Sequence, residues 1–156
     1  MIQRIQSVYL LIAGIALGVM FLFPLMGYYG ELHTYQFNLL EMQNLVPDSI
    51  GVFNALFTLP LLAVVIFIII LAITAIFLFK NRRLQLKLTR INILLNLILI
   101  IAVFVGYSRY IQSVIKVEEQ FKTGAFLPLI SLVFLVLAYR GIKKDEELIR
   151  SADRLR

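Results

Sequence analysis

The chain has no cysteine and a single histidine, His33, among its 156 residues. The absence of thiols excludes a disulfide framework and a thiolate metal site. One histidine, placed between two apolar runs, leaves no ligand set for an internal haem or zinc ion, so no cofactor is expected. Charge is missing as well, and in a revealing place. Four apolar runs, at about residues 8–26, 55–79, 91–107 and 125–139, contain no Asp, Glu, Lys, Arg or His. Proton-coupled carriers and ion pumps usually need an ionisable group within the membrane, where one costs at least about 2.5–3.5 kcal/mol on insertion scales. The runs offer no such group.

What the chain has in excess is apolar surface. Its 61% apolar residues and mean hydropathy of +0.92 lie above the roughly 45–50% apolar content of soluble domains. At about 1.5 Å of rise per residue the first three runs are long enough to cross a hydrocarbon core of roughly 30 Å. The fourth is shorter, but Lys122 and Arg140 can snorkel from its two ends. The expectation is an all-α membrane protein: a four-transmembrane-helix bundle forming one integral membrane domain over residues 1–156. The first run is longer than the apolar core of a signal peptide and no small-x-small cleavage site follows it, so it is expected to be a retained helix.

Charge placement supplies the orientation. With both termini inside, 12 basic residues fall on the cytoplasmic side and only three, Arg109, Lys116 and Lys122, outside. That asymmetry follows the positive-inside rule, and Tyr28, Tyr29, Tyr107 and Tyr110 fall where an outer aromatic belt would lie. Topology accounts for the net charge of +6, and no nucleic-acid recognition motif is present to suggest that partner.

Leu84, Leu88, Ile91 and Leu95 recur at helical spacing, which extends the third helix back toward the second and leaves a tight turn with a basic collar. The outer connection, residues 27–54, is long. Within it Tyr35, Phe37 and Leu39 alternate with Thr34, Gln36 and Asn38, a strand pattern. The second outer loop, residues 108–124, holds the β-branched Ile111, Val114, Ile115 and Val117, and is expected to add a strand to a small β cap on the helix ends. The tail, residues 140–156, places Ile142, Ile149, Ala152 and Leu155 on one face and predicts a cytoplasmic amphipathic C-terminal helix.

Few residues stand out as sites. Asn92 and Asn96 point to one side of the third helix and need partners away from lipid. Thr74 is the expected one, with interhelical hydrogen bonding as the plain reading and a polar notch alongside Gln3, Gln6 and Gln85 as the functional one. Gly14 and Gly18 have the G-x-x-x-G spacing that suits close helix packing, first within the bundle and second in a homo-oligomer. Pro24, Pro60 and Pro128 are expected to shape helix ends. Collar residues Arg82 and Arg83 and tail residues Arg150, Arg154 and Arg156 are candidates for docking a lipid headgroup or a protein partner.

The opening Met1-Ile-Gln-Arg-Ile-Gln-Ser-Val-Tyr-Leu10, the collar Lys80-Asn-Arg-Arg-Leu-Gln85 followed by Ile91-Asn-Ile-Leu-Leu-Asn96, and the ending Arg140-Gly-Ile-Lys-Lys-Asp-Glu-Glu-Leu-Ile-Arg-Ser-Ala-Asp-Arg-Leu-Arg156 together resemble a family of small four-helix membrane proteins of the Bacteroidota. That family is a domain of unknown function. The resemblance implies a bacterial inner-membrane location and supplies no activity and no site residues.

The expected function is a non-enzymatic accessory or assembly protein that docks a partner on the cytoplasmic side. The alternative is a small transporter, channel or lipid-handling protein with a pathway lined by Thr58, Thr74, Asn92, Asn96 and Ser131. An enzyme ranks third, because Glu31, His33, Glu41, Asp48, Glu118 and Glu119 are the only outer acid–base groups and no motif spacing unites them.

Overall fold

The computed structural model describes residues 3–30, 34–45, 53, 55–79 and 81–154. Helix α1, Gln3–Val19, ends before the apolar run does. Residues 20–22 close it with tight bonds to the carbonyls three residues back, and Pro24, which has no amide hydrogen, prevents it from continuing. The rest of the run turns to a different use. Leu25 and Met26 are fully buried beneath a small sheet, which begins with β1, Met26–Tyr29, and continues with β2, Thr34–Phe37, and β3, Met42–Asn44.

After a short 3-10 turn, α2 runs from Leu59 to Phe77 with Pro60 in its first turn, where the missing amide hydrogen removes no helical bond. The connection to α3, Arg82–Ile101, is as short as the periodicity predicts, and the Asn81 side chain caps α3 by accepting from the Leu84 amide at 3.3 Å. The chain then passes through a π-helical turn, Ala102–Tyr107, into α4, Ser108–Ile115. The second outer loop adds the expected strand to the cap, but at Glu119–Phe121, after the β-branched Ile111, Val114 and Ile115, which lie in the helix. Ile111, Val114 and Ile115 sit at the i, i+3, i+4 spacing of a helical face, and that pattern outweighs β-branched propensity. Lys116, at φ 58°, ends the helix in the left-handed conformation. Strand β4, Glu119–Phe121, follows, and α5, Thr123–Arg154, completes the chain. Its 32 residues extend about 48 Å at the usual helical rise. Pro128 lies inside α5, past the first turn where a helix-end proline was expected.

Helix α1 lies against α2 and α5, while α3 lies against α2 and α5 on the other side. Three helices, Leu56–Phe77, Arg82–Ile115 and Thr123–Ile149, are long and apolar enough to cross a membrane, which marks a membrane protein. The apolar part of α1, Ile5–Val19, is shorter. Outward faces carry Phe67, Ile70, Leu94, Ile98, Ile101 and Val133, a surface that lipid accepts and water does not. An added Cβ at Gly14 or Gly18 would meet no atom within 4 Å, so no other described helix of this chain approaches closely there.

The sheet is antiparallel with the strand order β3-β2-β1-β4. It sits on the helix ends through one face, where the cross-strand pairs Met26–Phe37 and Tyr28–Tyr35 are buried. Beneath them Leu17, Met20, Leu61, Val65, Leu99, Val103 and Ile111 form a continuous apolar core, and Phe37 stacks on Tyr107 with ring centroids 5.3 Å apart. Strand β1 is anchored twice, by the Leu25 amide donating to the Phe37 carbonyl and the Lys122 amide donating to the Leu25 carbonyl, both at 2.9 Å. Tyr28 therefore points inward, away from the belt position expected of it.

Burial first, and the nearby Glu119 carboxylate second, push the Tyr28 phenol well above the ordinary tyrosine range. Its hydroxyl donates to the Met26 sulfur at 3.3 Å. Folding thus favours the neutral phenol. The stability this gives is complete below the ordinary tyrosine range and is lost as the pH rises through and beyond it. Alkaline titration followed by tyrosinate absorbance should show a late phase that Tyr28→Phe reduces by one tyrosine; superimposable curves would refute this.

Candidate functional site: a buried polar seam closed by the C-terminal helix

Helix α3 is inside out by the standards of a soluble protein. Its apolar stripe of Leu84, Leu88, Ile91 and Leu95 is wholly or partly exposed, while Gln85, Thr89, Asn92 and Asn96 are the residues that face inward. Lipid favours that arrangement, because amides leave the hydrocarbon only by turning toward other helices. Gln85 reaches across the hairpin and donates to the Ala75 carbonyl at 2.9 Å, and the Thr89 hydroxyl donates to the Gln85 carbonyl at 2.8 Å. Two turns further along, the Asn96 amide donates to the Ser131 hydroxyl of α5 at 3.0 Å.

Ser131 thus takes the role expected of Thr74. The Thr74 side chain is exposed and donates to the Ile70 carbonyl of its own helix at 2.7 Å, which satisfies it locally and frees it from any interhelical duty. Asn92 and Asn96 are both 0% exposed. Neither amide atom of Asn92, nor the Asn96 Oδ1, has a hydrogen-bond partner among the described residues.

At the collar end the seam is closed by α5. Asp145 is only 6% exposed, and its carboxylate accepts from the Gln6 amide of α1 at 2.7 Å. Arg82 donates to the Asp145 backbone carbonyl at 3.2 Å and lies 3.9 Å from the carboxylate. Gly141 makes the approach of α1 feasible, since a Cβ there would stand 2.9 Å from the Gln6 Cγ. Buried charge-assisted bonds of this type contribute about 1.5–3 kcal/mol each. Arg83 also faces a tail acid, Glu146, at 3.7 Å, but its side chain is 81% exposed, and such surface pairs contribute roughly 1 kcal/mol at most. Arg90 donates to the Tyr139 hydroxyl at 2.9 Å.

The predicted docking residues therefore divide. Arg82 and Arg83 come together with acids of the tail, and Asn92 with Asn96 in the seam. The side chains of Arg150 and Arg154, and Arg156 entirely, lie outside the described residues. Asp145 was not among the residues singled out from the sequence, so the latch it forms is new with the structure. A signal was present: Ser131, Leu135, Ala138, Ile142 and Asp145 follow one another at spacings of four, three, four and three, a single stripe that is buried throughout.

Of the residues proposed to line a pathway, Asn96 and Ser131 meet, but Thr74 is exposed and the set does not join end to end. Thr58 is buried at the sheet end, where its hydroxyl donates to the Leu40 carbonyl at 2.8 Å, and the fully apolar Val65, Ile68, Leu99 and Val103 lie in the core at that end. Of the acid–base groups, Glu119 accepts from the Ser108 hydroxyl at 2.9 Å, and Glu41 accepts from the Gln43 amide at 2.7 Å. Glu31, His33 and Asp48 lie outside the described residues. Among the described residues no three His, Cys, Asp or Glu side chains converge.

No curated protein matches the chain. Residues 2–155 match the family described as a domain of unknown function, DUF4293, and with nearly its whole length covered the chain belongs to that family.

Proposed function

We propose that the protein is a non-enzymatic accessory or assembly subunit of a bacterial inner membrane, a four-helix bundle with both ends in the cytoplasm that docks a protein partner on α5. The observation that carries this reading is the latch and what lies beyond it. Gln6, Arg82 and Asp145 fix α5 to the rest of the molecule, and the next turn presents Leu148 and Ile149 at 55% and 45% exposure. Beside them Lys143 pairs with Glu147 at 3.7 Å. A short apolar strip with mixed charge around it, held at a fixed angle, suits a cytoplasmic protein segment of like character. The collar and tail are also where the chain's resemblance to a Bacteroidota family is concentrated.

The second reading, a transporter, channel or lipid-handling protein, draws on the unpartnered amide of Asn92. The apolar packing between the seam and the sheet supports docking over a polar route, since conduction requires a continuous hydrated or polar lining. The experiment is in-cell crosslinking of the full chain beside a Leu148→Glu, Ile149→Glu double variant, read by mass spectrometry. Loss of a defined partner crosslinked through Lys143, Lys144 or Lys87, with membrane insertion unchanged, is the expected result. The same crosslinks in both chains would overturn the docking reading.

A further inference from the structure

At the opposite end of α3 from the latch, the π-helical turn borders a groove of about 240 Å³ lined by Phe57, Ala102, Gly106, Tyr107 and Tyr110. Its floor is open because Gly106 leaves it so: a Cβ built there would meet no atom within 4 Å. A π turn spreads its residues over a wider arc than an α turn and is frequent at binding sites. Three residues beyond Gly106 stands Arg109, exposed, on the same side as the groove by helical spacing, with Tyr110 next to it. Among the described residues Arg109 has neither an acidic nor a hydrogen-bonding partner.

We propose that this groove binds one phospholipid, an acyl chain lying over Gly106 and Ala102 beside the stacked Phe57 and Tyr110 rings, whose centroids are 5.5 Å apart, while the headgroup phosphate meets Arg109. The charge pattern selects the occupant. An apolar trough on an outward-facing helix, with an unpaired guanidinium three residues further along, complements a molecule that joins an alkyl chain to an anion. Tyr110, with an apolar ring and a polar hydroxyl, suits the boundary between the two. A second copy of this chain fits poorly, since a two-fold contact centred on Gly106 would bring two Arg109 side chains toward each other. The site needs the protein to be in a membrane and is independent of docking on α5, which lies at the other end of the helices.

The test uses the purified full chain in detergent, titrated with palmitoyl-oleoyl phosphatidylglycerol and read by native mass spectrometry. Wild type should retain one lipid. Gly106→Leu, which fills the groove, and Arg109→Gln, which removes the phosphate partner, should each weaken that retention by about tenfold, the fold-change expected for a lost charge-assisted contact or several displaced methylenes. Helical content and thermal midpoint should match wild type in both variants, and Arg109→Gln, on an exposed side chain, decides the matter if Gly106→Leu does not fold. Retention by either folded variant equal to wild type would overturn the assignment. So would a wild-type dimer that Gly106→Leu dissolves, which would give the groove to a second copy.

Discussion

Asn92→Leu is expected to make the protein more stable, by about 1–3 kcal/mol, read as a higher unfolding midpoint in detergent. The side chain is fully buried and neither end of its amide meets a protein partner. Leucine has the same number of side-chain heavy atoms and the same branching at Cγ, and needs no hydrogen bond. Removing an unsatisfied buried amide returns the free energy of its desolvation, a gain larger than the roughly 0.6 kcal/mol that an average interhelical hydrogen bond provides in a membrane. A midpoint that falls instead would show that the amide is satisfied in the membrane by water or by a ligand, and would turn the seam from a packing feature into a binding one. Asn96→Leu should behave differently. It breaks the bond to Ser131 and strands that hydroxyl, so little or no gain is expected.

The second large effect has the opposite sign. Gly124→Ala is expected to destabilise the fold by about 3 kcal/mol, the upper end of what overpacking usually costs. The new methyl carbon would stand 2.5 Å from the Pro24 carbonyl oxygen and 2.6 Å from that of Phe23. Both obstacles are backbone, held in place because the Gly124 amide donates to the Pro24 carbonyl at 2.9 Å, so neither can swing aside. Gly106→Ala is the matched control. It also lies in a helical segment but adds its methyl group to open space, and there alanine should be neutral or favourable by up to about 1 kcal/mol. Equal midpoints for the two alanine variants would contradict the close junction between the end of α1 and the start of α5.

These two positions also mark where the sequence was legible and where it was not. Runs free of charge reveal the long apolar helices because hydrocarbon tolerates so little else, and the alternation from Thr34 to Leu39 reveals β2 because one face of it had to be buried. Periodicity around Leu84–Leu95 places a helix correctly but cannot say which side faces inward. Soluble-protein habit assigns the interior to leucine; lipid reverses the choice, and Gln85, Thr89, Asn92 and Asn96 take it. Pairings were harder still. Thr74 and Ser131 look equally good as partners for an asparagine, and only the lateral order of helices, which puts α5 beside α3, selects Ser131. The strand expected of the second outer loop is there, at Glu119–Phe121, but the β-branched Ile111, Val114 and Ile115 that suggested it lie in a helix, because spacing outweighs residue type. Asp145 did not stand out, because the four tail acids, Asp145, Glu146, Glu147 and Asp153, look alike until one of them is known to meet Gln6.

The bond between Gln6 and Asp145 joins residues 139 positions apart, and it has a consequence for biosynthesis. Helix α1 is made first, yet α5, one of its two helical neighbours, and β4, one of the two strands beside β1, are made in the last quarter of the chain. While the ribosome works through the middle of the message, the short first helix waits with Gln6 unsatisfied and one side of β1 open. Closure of the molecule is therefore a single late event, governed by the arrival of α5. A nascent chain stalled before Asp145 would be an open form that the cell's insertion and quality-control machinery could distinguish from the finished protein.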